Sequence, residues 1–478
     1  MNEKQKIERY KLALIFVSLL LISVLLVQGI FWTLVFKPSS KPSGRSEQAD
    51  KLGLEEQSVQ ADKPGLEEQS AQAEEGRGSL SHEGYTLEQA VVMSRHNIRS
   101  PLSGKGSVLE RVTPRQWFEW SSNPSELSLR GGATETLMGQ YFRKWLEEEG
   151  LFPENYHPEE DEVRFYANSK QRTIATTEFF MSGLLPTANM QVEYKAAFDE
   201  MDPVFKPQIT FVTEEYEDDV KEQIEELYRE EISAITDNFE LLADVIDLEK
   251  SEAYKSGELR DFSADDMDFE FILNEEPKMK GAFRTACSVS DALVLQYYEE
   301  EDETEAAFGH ALTPEQWKEI SEVKDLYNDI LFATPLLAYN VEHPILKEIR
   351  SELTSDGRKF SFLCGHDSNI NGILSCLRAS KYSLPSSIEN TTPIGVKIVF
   401  GRWRAPDKEE FMSVDLVYAS AEQLRNFSIM DSENPPFAVP LTLEGLEKNE
   451  DGLYKADAVL ERFDEAIGEY DRLLEKYD

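Results

Sequence analysis

Two arginines, Arg95 and Arg99, bracket one histidine, His96, in a short stretch of the chain. The stretch follows an apolar run at 90–93 that predicts a strand, and it leads to Pro101, so we expect it to form the loop that leaves the strand. Each guanidinium offers a fixed fork of donors that suits phosphate oxygens. An imidazole between two such forks could attack a bound phosphorus atom. Taken alone, the pattern is equally compatible with a surface loop that carries an exposed histidine.

A second candidate pair, His366 and Asp367, follows another strand-like run at 360–365. The run turns at its glycine, so the pair should lie where the strand ends. Ligands of open α/β sheets bind at the carboxyl ends of strands. The two loops together would supply a nucleophile, His96, the arginines that bind phosphate, and a candidate acid, Asp367. A lone His-Asp pair would more ordinarily be a structural hydrogen bond.

The order Arg-His-x-x-Arg-x-Pro and then His-Asp resembles the histidine acid phosphatase family (branch 2). The family's first motif is Arg-His-Gly-x-Arg-x-Pro, and Asn97 replaces the glycine here. Asparagine tolerates left-handed backbone better than most residues, so we expect an undisturbed loop. Within that family the chain resembles the bacterial glucose-1-phosphatases and the phytase-type enzymes. That similarity rests on blocks in family order from about Tyr85 onward: Gly-Ser-Val-Leu-Glu at 106–110, Tyr-Ala-Asn-Ser-x-Gln-Arg-Thr at 166–173, Leu-Gln-Tyr-Tyr-Glu at 295–299, Thr-Pro-Ile-Gly at 392–395, Lys-Ile-Val-Phe at 397–400 and Ser-Ala-Glu-Gln-Leu-Arg-Asn at 420–426.

The resemblance implies further site residues. Arg172 would be a third phosphate ligand, and its predicted place at the start of a helix favours anions, although local sequence alone fits a surface arginine. Glu299 and Leu102 would contact the rest of the substrate. Glu299 begins a run of acidic residues at 299–303, and such runs are usually solvated faces.

The predicted reaction is hydrolysis of a phosphate monoester through a phosphohistidine on His96. Asp367 would protonate the leaving oxygen. The positive surroundings should disfavour protonation of His96 and keep the nucleophile neutral. The scheme requires no metal and no cofactor, because positive side chains neutralise the phosphoryl group. The predicted phosphate ligands are Arg95, Arg99, Arg172 and His366.

Composition limits the partners. The chain has 478 residues, 91 of them acidic and 49 basic, and a formal net charge of −42. That charge argues against nucleic acid or an anionic membrane surface as partner, and it requires a locally positive pocket for an anionic substrate. The three cysteines, Cys287, Cys364 and Cys376, do not suggest a disulfide framework or a metal site, and we interpret them as buried free thiols.

The amino-terminal region predicts a tethered protein. Residues 1–11 are charged and would form a cytoplasmic tail, and the uncharged run at 12–36 is long enough to span a bilayer. We interpret it as an uncleaved signal anchor in the cell membrane, with the rest extracellular or periplasmic; a cleaved signal peptide is the alternative. Residues 37–81 contain a duplicated dodecamer, at 48–59 and 60–71, and predict a disordered stalk.

The body of the chain predicts an α/β fold: a large α/β domain with a mixed central sheet flanked by helices, plus a smaller inserted α-helical domain. The α/β domain comprises 82–200 and 340–478, and the acidic helical segments at 201–339 form the inserted cap. Helices are expected at 113–120 and 129–150, among others. Later strands are expected near 397–400 and 413–418.

Other functions remain open. The first alternative is a phytase that acts on inositol hexakisphosphate, although the acidic excess favours a sugar phosphate such as glucose 1-phosphate. The second is a non-catalytic, membrane-tethered phosphate-binding protein, which would typically have lost one of the six predicted groups. A phosphomutase fits poorly, because such proteins lack the Arg-x-Pro continuation.

Overall fold

The computed structural model describes residues 78–103, 106–265 and 267–477. The predicted tail, anchor and nearly all of the stalk lie outside the described residues. No helix in this described part is long and apolar enough to cross a membrane. Folded structure is present before the expected boundary at 82, because the amide of Gly78 donates to the carbonyl of Ala438 and Leu80 is buried.

One mixed sheet carries most of the strands. The strands are β1 (Thr86–Arg95), β2 (Val163–Ala167), β3 (Asp268–Glu270), β4 (Lys278–Lys280), β5 (Phe360–Gly365), β6 (Lys397–Arg404), β7 (Glu410–Tyr418), β8 (Phe437–Pro440) and β9 (Tyr454–Lys455). The order in the sheet is β2-β5-β1-β6-β7-β8, with β9 also paired to β7, and β3 pairs with β4 in a separate hairpin.

Helices cover the sheet and make up most of the chain between β2 and β5. They are α1 (Val108–Arg111), α2 (Leu129–Glu148), α3 (Gln171–Leu184), α4 (Glu214–Ala234), α5 (Thr236–Val245), α6 (Glu252–Ser256), α7 (Ala282–Glu299), α8 (Glu303–Ala306), α9 (Pro314–Asn328), α10 (Pro335–Glu352), α11 (Asp367–Cys376), α12 (Ala421–Asn426) and α13 (Ala456–Tyr477). A 3₁₀ turn at Leu248–Lys250 and a π turn at Asp329–Ala333 complete the helical segments.

The sheet places four loops at one edge. Strands β1 and β2 both run parallel to β5, and Arg95 pairs with Gly365 while Ala167 pairs with Cys364. Because parallel strands end at the same edge, the residues that follow them must lie side by side. Strand β6 runs antiparallel to β1, so the loop before it reaches the same edge.

Close helix packing holds α3 beneath this edge. A Cβ at Gly139 of α2 would collide with the carbonyl of Phe180 in α3, so glycine is needed for the approach. Phe180 stacks on Phe362 of β5 with 4.1 Å between ring centroids. The amino end of α3, which carries Arg172, is therefore fixed against the sheet.

The expected helix at 113–120 is wrong. This segment has no regular secondary structure. Its polar groups are bound by other elements: the hydroxyl of Thr113 donates to the carbonyl of Ile246, and the amide of Phe118 donates to Gln296 at 2.8 Å. Tertiary partners therefore outcompete the local helical preference.

Candidate active site

His96 lies directly after β1 and is buried. Its amide donates to the carbonyl of Gly365 at 3.1 Å, which joins the two predicted loops. Its ring Nδ1 is 2.9 Å from the carbonyl oxygen of Asn97. A carbonyl can only accept, so Nδ1 carries the hydrogen and Nε2 keeps its lone pair. Burial, and then the charges of Arg172 and Arg99, hold the pKa of His96 well below its usual range. The imidazole is therefore a neutral base with Nε2 available.

The protonation of His366 follows from Asn168. The Oδ1 of Asn168 accepts from the amide of Asp202 at 2.8 Å, so its Nδ2 donates to His366 Nε2 at 2.6 Å. Burial and the charge of Arg172 keep the pKa of His366 well below its usual range, so the ring is neutral and its hydrogen is on Nδ1. That Nδ1 lies 3.4 Å from Arg172 Nη2, which is also a donor. The two groups cannot bond each other, and one anionic oxygen between them would satisfy both.

Arg95, Arg99 and Arg172 surround this point. Each has a buried Nε–H group without a hydrogen-bond partner in the described residues. Arg95 is 1% exposed and donates to the carbonyl of Thr392. Arg99 pairs with Asp291 of α7 at 3.1 Å. Burial, followed by the charge of Arg99, lowers the pKa of Arg172 to about 10. The site therefore carries desolvated positive charge with free donors, which favours a compact anion.

Asp367 is the first residue of α11, where the helix amino end favours a negative charge. Its Oδ2 lies 3.3 Å from Arg95 Nη2, accepts from Asn328 Nδ2 at 3.3 Å, and lies 4.0 Å from Lys324 Nζ. Burial by itself would raise the pKa of Asp367, but the charges of Arg95 and Lys324 outweigh it and hold the pKa well below its usual range. The carboxylate is therefore ionised when no ligand is bound.

Asn97 supports the His96 loop through a buried network. Its side-chain amide donates to Glu135 at 2.7 Å, and Glu135 pairs with Lys397 at 2.9 Å. Asn97 does not adopt the left-handed conformation that we considered for it. Instead the glycine requirement falls on Gly395, which has φ +71° and whose Cβ would lie 2.8 Å from Asn97 Nδ2.

The structure brings together all six residues predicted to bind or transform phosphate. Glu299 forms an ion pair with Arg130 at 3.0 Å, and Leu102 is 59% exposed. Their contact with substrate stays a prediction. The cysteines are free thiols, with Cys364 and Cys376 buried and Cys287 partly buried.

Sequence reasoning missed the partners of these six residues. Asn168, which binds His366, stood inside a block that carried the resemblance, and so did Lys397, which pairs with Glu135 beneath Asn97; a signal therefore existed for both. Asp291, Lys324 and Asn328 lie on α7 and α9, between β4 and β5 in the chain. Nothing in their local sequence marks them, since ordinary charged helices contain the same residues.

Buried donors that lack an acceptor, grouped around a neutral histidine, suit the binding and transfer of a phosphoryl group. The class that this fold and site define is a phosphoric monoester hydrolase. The chain belongs to branch 2 of the histidine phosphatase superfamily, whose family model matches residues 86–419. The predicted family is thereby confirmed.

Curated relatives agree with this membership. A glucose-1-phosphatase of Providencia rettgeri is 36% identical over 372 residues, which cover 77% of this chain and 88% of the relative. A glucose-1-phosphatase of Salmonella typhimurium is 36% identical over 381 residues, covering 78% and 91%. Phytase AppA of Escherichia coli is 27% identical over 382 residues, covering 76% and 87%.

Solved structures show the same fold. The apo form of Hafnia alvei phytase matches with a TM-score of 0.73 and 25% identity, over 81% of this chain and 98% of that one. The predicted mixed α/β fold is confirmed by this match and by the observed sheet order.

Proposed function

We propose that this chain hydrolyses glucose 1-phosphate or a similar sugar phosphate by double displacement, with His96 as the nucleophile. The observation that carries the proposal is the convergence of two donors, His366 Nδ1 and Arg172 Nη2, on a point where neither can bond the other. A phosphoryl oxygen at that point is held next to His96, whose ring centroid is 5.5 Å from that of His366. Positive side chains stabilise the charge that spreads over the phosphoryl oxygens during transfer.

In the first step His96 Nε2 attacks phosphorus as the bond to the sugar oxygen breaks. The electron pair of that bond goes to the leaving oxygen, which takes a proton from Asp367. The products are the free sugar, a phosphohistidine and ionised Asp367. The tautomer matters here, because the Nδ1–H bond to Asn97 directs the Nε2 lone pair to the substrate.

The substrate itself can supply the proton that Asp367 needs. Phosphate monoesters keep one proton below their second pKa of about 6. Bound phosphate adds negative charge near Asp367 and so raises its affinity for that proton. A monoanionic substrate thus protonates Asp367. Activity should fall above about pH 6 as the dianion replaces the monoanion of the substrate.

In the second step water attacks the phosphohistidine and the P–N bond breaks, with the electron pair returning to Nε2. Asp367 accepts the proton of the attacking water and is ready for the next substrate after phosphate leaves. Burial and the positive neighbours of His96 favour the return of the ring to its neutral form.

A second candidate substrate is inositol hexakisphosphate, and the likeness to Hafnia alvei phytase favours it. A carboxylate near the phosphate site speaks against it. Asp291 forms an ion pair with Arg99 at 3.1 Å. Such a carboxylate opposes a polyanion more than a monoester of a neutral sugar. Glu299 and Leu102 remain the predicted contacts to the sugar.

The test uses the full-length protein in detergent, with phosphate release from glucose 1-phosphate and from phytate measured at pH 4–7. We expect faster release from glucose 1-phosphate, and a loss of at least about 10⁴-fold in His96→Ala. The matched control is His157→Ala, at an exposed histidine, which should keep full activity. Labelled substrate should leave a phosphoenzyme that is stable to alkali and labile to acid.

Two results would overturn the proposal. Activity that survives His96→Ala would exclude the nucleophile. A folded wild-type protein that binds phosphate but releases none would favour the non-catalytic binding protein instead.

For its location, we propose that the catalytic body lies outside the cytoplasm and is tethered through residues 12–36. The uncharged run supports the tether, and the repeat-containing segment at 37–77 supports a spacer. Fractionation of the natural cell tests this: activity should stay with washed membranes and be released by protease added outside. Activity in the soluble cytoplasmic fraction would refute it.

A further inference from the structure

Lys324 places an ammonium group beside the candidate acid. It lies on α9, and its side chain is 3% exposed. The nearest carboxylate oxygens are Asp325 Oδ1 at 3.5 Å and Asp367 Oδ2 at 4.0 Å. Within the described part of the chain, Nζ donates no hydrogen bond.

A buried ammonium without an acceptor is costly, because it has left water and gained no hydrogen bond in exchange. Asp325 accepts from the amide of Asn390 through Oδ2 at 2.7 Å, while its Oδ1, 3.5 Å from Lys324 Nζ, has no hydrogen-bond partner in the described residues. Asp367 Oδ2 faces Arg95 and Asn328. One hydrogen of Lys324 can therefore point at Asp325 Oδ1, and the others are available to an oxygen that only arrives with a ligand.

The position of that oxygen follows from Asp367. In the proposed reaction Asp367 Oδ2 faces the oxygen that leaves phosphorus. A donor 4.0 Å from Oδ2 is within reach of that oxygen. Lys324 can therefore contact the leaving group from α9.

We propose that Lys324 is a substrate-binding residue that donates a hydrogen bond to the leaving group, at the leaving oxygen or at the sugar oxygen next to it. This inference rests on the proposed function. During P–O cleavage the electron pair passes to the leaving oxygen, Asp367 delivers the proton, and the Lys324 ammonium stabilises the charge that develops before the proton arrives. The contribution is greatest for a basic sugar alkoxide and smallest for a weakly basic phenolate.

The test compares kcat/KM for glucose 1-phosphate and 4-nitrophenyl phosphate in Lys324→Met and in wild type. This parameter covers the steps up to release of the alcohol, so hydrolysis of the phosphoenzyme does not enter it. We expect a loss of about 10- to 100-fold on glucose 1-phosphate, the range for a hydrogen bond from a charged group. The loss on 4-nitrophenyl phosphate should stay below about threefold.

Two further variants keep the test decisive. Lys318→Met removes an exposed lysine from the same helix and should change neither substrate. Lys324→Gln keeps a donor without the charge, and replaces Lys324→Met if that variant does not fold. It should show the same substrate dependence with a smaller loss.

An indirect role of Lys324 predicts a different effect of its removal on the activity toward glucose 1-phosphate. If Lys324 acted only by keeping Asp367 ionised, its removal would make Asp367 easier to protonate, and activity on glucose 1-phosphate would persist to higher pH without loss. Three results would overturn the inference while leaving the proposed function intact. They are this shift to higher pH without loss, an equal loss on both esters, and no loss on either ester. A wild-type protein inactive on both esters would overturn both.

Discussion

The buried ion pair between Glu135 and Lys397 offers a quantitative test of how the nucleophile's loop is supported. The charged atoms are 2.9 Å apart, and both side chains are fully buried. Glu135 also accepts from Asn97, the residue after His96. At an effective dielectric constant of about 20, two charges at this distance attract by about 6 kcal/mol. Breaking such a pair from one side typically costs about 3–5 kcal/mol, because the other charge stays buried.

Glu135→Gln isolates that charge, since glutamine keeps the shape and an acceptor for Asn97. We expect the free energy of unfolding, measured by urea titration with circular dichroism, to fall by about 3–5 kcal/mol. Adding Lys397→Met should restore about half or more of the loss, because neither charge is then buried alone. The control is Glu409→Gln, which breaks the exposed pair with Lys455 and should have no measurable effect.

Two outcomes would refute this reasoning. One is a cost below about 1 kcal/mol for Glu135→Gln, which would mean that water or relaxation already compensates the pair. The other is a double variant no more stable than the single one, which would place the cost in packing and not in charge.

Other expectations follow from groups near the site. Burial raises the pKa of Glu342 to about 8, so the stability that comes from its protonated form is complete below its usual pKa and is lost as pH rises toward 8. Thermal unfolding should therefore show the stability of Glu342→Gln rising relative to that of wild type between pH 5 and 8. A stability difference that does not change with pH would contradict this. Gly395→Ala should cost about 1–3 kcal/mol in urea unfolding, more than Gly452→Ala, which has φ +82° but open space around it; equal costs would refute the collision. Asp291→Asn frees Arg99 from a competing carboxylate and should lower the inhibition constant of inorganic phosphate by about fivefold, whereas weaker inhibition would show that Asp291 orients Arg99.

Much of the α/β fold could be predicted because its strands have strong local signals. The apolar runs at 90–93 and 360–365 lie in β1 and β5, and the segments at 397–400 and 413–418 lie in β6 and β7. The short strand β8 pairs along only four residues and was missed. The segment at 113–120 was predicted as a helix and is not one, because distant residues bind its polar groups.

The sequence by itself determined which chemical groups this protein brings to phosphate. The arginines, histidines and Asp367 stand at strand ends, and local spacing encodes both the strand and its end. Only the tertiary structure decided which of these groups have a hydrogen-bond or ion-pair partner within the protein and which are left to bind a ligand. The tautomer of His366 depends on Asn168, and the ammonium near Asp367 comes from α9. A hydrogen bond or ion pair is a property of two residues, and here the two are far apart in the chain, so no local pattern could specify it.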